Sequence, residues 1–188
     1  MTEQELIEGL KRGDETCFQF LVQTYQDLVY STAYGLLQQT QDAEDVAQEV
    51  FLQVFRSIHS FKSEAKLSTW LYKITTSRAL DLTRSKKSKK RFALIQRLWG
   101  GDQEAAFDIP DTYHPGVALE QKEDAGKLWR AISKLTDNQR IAFSLHKLEG
   151  LSYQEVSEVM GNSVPAVESL MHRARQNLKK ILEHEISS

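Results

Sequence analysis

The sequence predicts an all-α protein: two small helical domains joined by a flexible linker, the C-terminal one containing a helix-turn-helix. Three observations carry this. Almost every periodic segment repeats its apolar residues at steps of three and four, and none shows the alternation of a half-buried strand. The periodicity fails once, between about Ile95 and Gln121, where RLWGGDQEAAFDIPDTYHPG holds three of the nine glycines and two of the three prolines. Near the C-terminus a short helical segment, a glycine-bearing turn and a longer basic helical segment follow one another.

The first domain is expected over residues 1–94. Thr2 with Glu5 has the spacing of a capping box, and Asp14 can cap the next helix. That second helix carries Phe18, Leu21, Tyr25, Val29 and Ala33 on one side. A third is expected from near Asp42, with an apolar stripe of Ala43, Val46, Ala47, Val50, Phe51, Val54, Phe55 and Ile58. A fourth is expected with Ser68 as its cap, placing Leu71, Ile74, Thr75 and Leu82 on one side. Residues 95–120 form the acidic linker, because Pro110 and Pro115 interrupt any long helix.

The second domain is expected over residues 121–188. Leu128, Ile132 and Leu135 mark its first helix. Thr136 with Gln139 suggests a capping box for the next, which carries Ile141, Ala142, Leu145 and Leu148. Ser152 and Glu155 cap a short helix that stops at Gly161, where glycine readily takes a left-handed C-cap. Ser163 caps the last helix, whose first turn tolerates Pro165.

Composition narrows the class. The chain has 188 residues, 40% of them hydrophobic, a formal net charge of −2, and no apolar run of membrane-spanning length. The start, MTEQELIEGL, lacks an apolar signal core, so a cytoplasmic location is expected. Cys17 is the only cysteine and excludes an internal disulfide; its place early in a helical pattern suggests a small buried residue. Charge is unevenly distributed. Arg84, Lys86, Lys87, Lys89, Lys90 and Arg91 crowd together, Asp102, Glu104, Asp108 and Asp111 follow, and Arg173, Arg175, Lys179 and Lys180 form a second basic cluster. Two nucleic-acid-contacting modules on a linker would show this pattern, and so would two solvated helix ends.

Three stretches together carry a resemblance: DAEDVAQEVFLQVFRSI from Asp42, LSTWLYKI with the downstream ALDLTR, and LEGLSYQEVSEVMG with the later HRARQNLKK. In this order and spacing the chain resembles an extracytoplasmic function (ECF) sigma factor of the sigma-70 superfamily, over nearly all of its length outside the linker. The resemblance implies region 2 in the first domain, region 4 in the second, and a dissociable subunit that directs bacterial RNA polymerase to promoters. The implied partners are core RNA polymerase, through the clamp coiled coil of its largest subunit and the flap of the second largest, promoter DNA, and the anti-sigma factor common in the family. No small-molecule substrate, cofactor, metal or catalytic residue is implied.

The residues agree with that role. Asp42, Asp45 and Glu49 share one face of the third helix, where stacked like charges gain nothing unless a partner supplies cations. The resemblance assigns Asp42, Asp45, Gln48, Glu49 and Leu52 to polymerase. It assigns the fourth helix and the loop before it to the unpaired −10 element. Phe61, Lys62, Ser68, Trp70, Lys73 and Ser77 are the candidates for base capture, with Arg84, Lys86 and Lys87 as phosphate contacts. Stacking contributes roughly 1–3 kcal/mol per base, close to the few kcal/mol that extruding one base costs. Opening a bubble of about ten pairs costs on the order of 10 kcal/mol or more, so the protein needs polymerase to hold a promoter open. On the last helix Val167, Met171, Ala174 and Leu178 form the inner stripe. Ser163, Pro165, Ala166, Glu168, Ser169, His172, Arg173 and Gln176 are the −35 candidates, early residues meeting base edges and later ones phosphate.

Two departures from the family pattern stand out. Ser77 occupies a place where many relatives carry asparagine, with Arg78 beside it. The recognition helix reads AVESLMHRAR where a common form is TVKSRLHRAR, so Glu168 and Leu170 replace two cations; a weaker or displaced −35 grip is expected. Glu168 either accepts from a cytosine amino group or places charge at the helix start. The linker's acids are expected to mimic nucleic acid in the polymerase cleft or exit channel, so deleting Asp102–Asp111 should impair initiation. The alternative is a self-sufficient helix-turn-helix regulator of duplex DNA, which would not need the Asp42 and Trp70 helices. An enzyme finds no support: no Gly-rich phosphate loop, nucleophile–base pair or ligand cluster stands in the sequence, and His59, His114, His146, His172 and His184 are scattered.

Overall fold

Helical periodicity on almost every segment becomes eight α-helices and one 3₁₀ turn in the computed structural model, which describes residues 1–99 and 119–186. The helices are α1 (Glu3–Lys11), α2 (Glu15–Leu37), α3 (Thr40–Ser57), α4 (Leu67–Trp99), α5 (Leu119–Ser133), α6 (Asp137–Lys147), α7 (Tyr153–Met160) and α8 (Val164–Ile186), with the 3₁₀ turn Ile58–Ser60 before α4. No helix among the described residues is long and apolar enough to cross a membrane. Helix α4 runs on to Trp99, past the expected domain end at residue 94 and into the expected linker. The rest of that linker, including Asp102–Asp111, lies outside the described residues.

The front block, α1–α4, closes around Leu21, Val29, Val50, Val54, Ile58, Leu67 and Leu71, each at most 1% exposed. Leu6, Ile7 and Leu10 of α1 join this core. Helix α1 reaches α2 because Gly9 has no side chain; a Cβ there would collide with Cys17 Sγ. Cys17 is buried, as its position suggested. The α3 stripe is inward except for Phe55, which is 51% exposed and presents its ring to Phe18 edge-on at 5.5 Å. Period alone does not separate a core ring from one that packs at the rim.

The rear block, α5–α8, is built around Ala131, Ile132, Leu135, Ala174 and Leu178, with Ile141, Leu145, Val156, Val167 and Met171 in a second cluster. Leu128 and Leu148, expected inward, are 41% and 42% exposed. That second cluster does not stop at the block's edge: Leu36 of α2 and Tyr72 and Ala79 of α4 belong to it. The two blocks therefore share an apolar seam. Glu149, in the turn after α6, accepts from Ser31 Oγ (3.1 Å) and Tyr72 Oη (3.4 Å). Burial pushes the Glu149 carboxyl above its ordinary value, and burial first, then the Glu149 charge, pushes the Tyr72 phenol up. At the rim Lys87 reaches Asp137 (3.2 Å), Lys66 reaches Glu155 (3.9 Å), and Tyr34 meets Trp129 edge-on at 5.9 Å.

Local caps set several helix starts. Thr2 with Glu5 and Ser152 with Glu155 form the expected capping boxes, and Asp14 accepts from the Thr16 and Cys17 amides. Two expected caps do not form. Thr136 stands at the α6 N-cap without a side-chain bond; Gln139 is buried instead and accepts from Asn177 of α8 at 3.0 Å. Ser68 lies inside α4, whose first amide, on Leu67, donates to Glu3 Oε1 of α1 at 3.2 Å. Helix α3 begins at Thr40, two residues before Asp42, without a side-chain cap.

Candidate polymerase and nucleic-acid surfaces

Three surfaces collect the expected site residues. On α3, Asp45, Gln48, Glu49 and Leu52 are all exposed at helical spacing. Gln41 Nε2 donates to Asp45 at 3.2 Å, and Arg78 of α4 stands 4.0 Å from Glu49, leaving the Glu49 side chain 61% exposed. Exposed Phe55 continues the same face one turn beyond Leu52, a residue that sequence reasoning had placed in the core. The surface thus presents two carboxylates, an amide, an aliphatic side chain and a ring. Asp42 does not join it. Its side chain is 14% exposed and accepts from Lys86 Nζ through both oxygens, at 2.8 and 2.6 Å. Asp42 and Lys86, expected on different interfaces, bind each other.

The second surface surrounds the loop before α4. Phe61, Lys62, Trp70 and Lys73 line an open pocket of about 190 Å³, together with Ser60, Glu64 and Ala65. Phe61 is only 7% exposed and forms the wall behind; its ring lies 4.9 Å from that of half-buried Trp70, tilted 31°. Lys62 and Lys73 are exposed at its mouth. Aromatic walls with cations at the rim can stack a planar base and hold its phosphates. Ser68, Ser77 and Arg84 lie outside the pocket lining. Ser77 and Arg84 are exposed on α4, and Arg84 stands 4.0 Å from Asp81 of its own helix. Lys87 is occupied by Asp137 across the seam. Glu64 was missed because nothing in sequence shows that a loop carboxylate turns toward a pocket. Ser63 beside it has φ 57°, a left-handed conformation uncommon for serine.

The third surface is the outer face of α8. Gly161 stops α7 with φ 65° and ψ 29°, and the Ser163 hydroxyl accepts from the Ala166 amide at 3.4 Å. Val167, Met171 and Ala174 are fully buried, so Ser163, Pro165, Glu168, Ser169, His172, Arg173 and Gln176 face outward, with Ala166 half-buried. Arg173 lies along the helix, donating to Ser169 O and Oγ. His172 and Gln176 side chains meet at 2.9 Å. Arg175, not assigned beforehand, donates to Tyr153 Oη at 2.9 Å and joins the two helices at their exposed edge. No group of three or more potential metal ligands occurs among the described residues.

These features match known proteins along the chain. Residues 21–89 match the family model for sigma-70 region 2, and residues 125–178 that for sigma-70 region 4. The chain is 32% identical over 184 residues to the ECF RNA polymerase sigma factor SigW of Bacillus subtilis, covering 97% of both chains. It is 28% identical over 176 residues to the ECF RNA polymerase sigma-E factor of Escherichia coli K12, covering 94% of this chain and 92% of that one. The fold is shared with CnrH, solved in complex with the cytosolic domain of CnrY, at a TM-score of 0.69 and 20% identity over 97% of both chains. It is also shared with the sigma factor RpoE of Bartonella quintana, solved with the anti-sigma factor NepR, at a TM-score of 0.60 and 22% identity over 88% of this chain and 96% of that one.

Proposed function

Because this chain belongs to the sigma-70 family, among its extracytoplasmic function members, we propose a division of promoter recognition between its three surfaces. The protein is a sigma factor: it associates with bacterial core RNA polymerase and directs promoter-specific initiation. Residues 1–94 act as region 2, with α4 continuing beyond, and 121–188 as region 4. The protein works in the cytoplasm as an initiation factor with no reaction chemistry of its own. An anti-sigma factor is a further partner; two proteins of the same fold were solved with one or with a partner's cytosolic domain.

Asp45, Gln48, Glu49 and Leu52, extended by Phe55, take the clamp coiled coil of the largest subunit. Cations on that partner pair with the two carboxylates while Leu52 and Phe55 supply apolar area. The pocket of Phe61, Lys62, Trp70 and Lys73 takes one extruded −10 base, and Ser68, Ser77 and Arg84 contact the strand alongside. Lys86 and Lys87 reach phosphate only by exchanging Asp42 and Asp137 for it. The outer face of α8 enters the major groove at −35, and the remainder of the rear block meets the flap of the second-largest subunit. The single observation that carries this reading is the pocket: two aromatic rings and two lysines converge where region 2 is matched. The stand-alone regulator reading is set aside, because the family match extends through the α3 and α4 surfaces that such a regulator would not use.

Gel filtration with core polymerase tests the first contact. The unmutated chain should co-elute, and Glu49→Lys combined with Asp45→Lys should weaken binding by at least tenfold. Equal binding of the double variant would overturn the assignment of this face.

A further inference from the structure

Helix α1 holds the pocket loop at both ends. Lys11 Nζ, at the end of α1, donates to the carbonyl of Phe61 at 3.2 Å, where the loop begins. Glu3 Oε1, at the start of α1, accepts from the amide of Leu67 at 3.2 Å, where the loop ends and α4 starts. Phe61 and Leu67 are themselves buried, at 7% and 0% exposure, in the core that Leu6, Ile7 and Leu10 of α1 complete. Between these two anchors stand Lys62, Glu64 and Ala65, all three in the pocket lining, and the left-handed Ser63. Trp70 and Lys73 follow within the first two turns of α4, so the Leu67 anchor also sets where they point. Both bonds involve a charged side chain and a backbone group, the stronger kind of hydrogen bond. Their loss leaves the loop's ends held by packing, by the Phe61 amide on the Ile58 carbonyl and by the exposed Lys66–Glu155 pair, with no bond from α1 to either end.

We propose that Glu3 and Lys11 are positioning residues for −10 recognition: α1 is a brace that fixes the spacing between the loop's two ends and thereby the shape of the base pocket. Neither residue touches the base. The proposal rests on the reading of the pocket as the seat of an extruded base. Base discrimination depends on groups held within a fraction of an ångström of their working positions, so a slackened loop should still bind DNA while choosing between bases less well.

The test uses the full chain assembled with core polymerase. The probe is a labelled forked −10 oligonucleotide carrying each of the four bases in turn at the extruded position. Glu3→Ala and Lys11→Met, which keeps the aliphatic stem, should each reduce the preference for the best base over the worst by roughly tenfold. Affinity for core polymerase and for a −35 duplex should stay within about twofold of the unmutated protein. Glu3→Gln keeps an oxygen acceptor for the Leu67 amide and should retain the preference. Thermal unfolding followed by circular dichroism separates misfolding from slackening. If the variants lower the melting temperature yet leave base preference intact, or change neither, α1 is structural only and the proposal is overturned. If the unmutated holoenzyme shows no preference at any position, the reading of the pocket falls, and the brace with it.

Discussion

Trp70 and Leu71 stand side by side in α4 with different expected roles. Leu71 is fully buried, so Leu71→Ala should cost about 2–5 kcal/mol of stability in urea unfolding. Trp70 is half-buried at the pocket wall. Trp70→Ala should weaken binding of forked −10 DNA by about 1–3 kcal/mol, the range for one stacked base. If the larger folding loss falls on Trp70 and DNA binding is untouched, its ring is core packing. Two carboxylates give opposite pH dependence. Burial raises Glu149 above 4.5 in the closed molecule, so that form takes up its proton more readily than an opened one. The titratable group facing it is Tyr72 of α4; α2 offers only the Ser31 and Thr32 hydroxyls. The contribution of Glu149 to closure is therefore strongest below pH 4.5 and weakens as pH rises through the raised value. Glu149→Gln, which keeps an acceptor without the charge, should remove that dependence when compactness is followed by small-angle scattering. Glu155 is lowered, chiefly by accepting from the Ser152 backbone, so the stability it gives α7 is present above 4.5 and lost as pH falls through the lowered value.

At the scale of elements, what could be read from the chain depended on how far apart the partners lie. The boxes Thr2/Glu5 and Ser152/Glu155 were legible because both partners sit three residues apart on one turn. Thr136/Gln139 and Ser68 had the right residue types and failed. Asn177 claims Gln139 from 38 residues away, and Glu3 caps α4 from 64 residues away. The apolar stripes of α3 and α8 were legible, while the second buried face of α4 was not. Tyr72, Thr76 and Ala79 are polar or small, and they carry little apolar period to betray the seam. The site followed the same rule. Periodicity showed that Asp45 and Glu49 share a face of α3 and which side of α8 points outward, and the family resemblance gave those faces their roles, whereas Asp42–Lys86 and Glu64 depended on tertiary placement. The turn between α7 and α8 makes a firm prediction. Gly161 sits at φ 65° with open space around a notional Cβ, so Gly161→Ala should cost about 1–2 kcal/mol through backbone strain alone. Ser152→Ala should cost about 1 kcal/mol by removing the α7 cap. Both are measurable as shifts in urea midpoint at constant m-value, and no shift for Gly161→Ala would mean that the turn relaxes.

The two blocks of the molecule close on one another along the seam that Leu36, Tyr72 and Ala79 share with the rear block. A compact chain of this length has a radius of gyration of about 16 Å. The −35 and −10 elements, by their names, lie about 25 base pairs apart, or roughly 85 Å of B-form DNA. On the proposed division of promoter recognition, a closed body of that size does not span both elements, so engaging both would require the seam to part. Its composition suits parting: the rim pairs lie at least partly in solvent and are weak, and Glu149 is a half-buried carboxylate supported by hydroxyls alone. Glu149→Lys should open the molecule and raise the radius of gyration by several ångströms, with helical content unchanged. An unchanged radius would show that Glu149 does not govern closure.

The most direct test of the account is transcription. Purified protein and bacterial core polymerase, given genomic fragments, should produce discrete transcripts absent without the protein, and Trp70→Ala should reduce them all. Their start points should lie downstream of a shared pair of sequence elements. Transcripts that start at random, or appear equally without the protein, would contradict it.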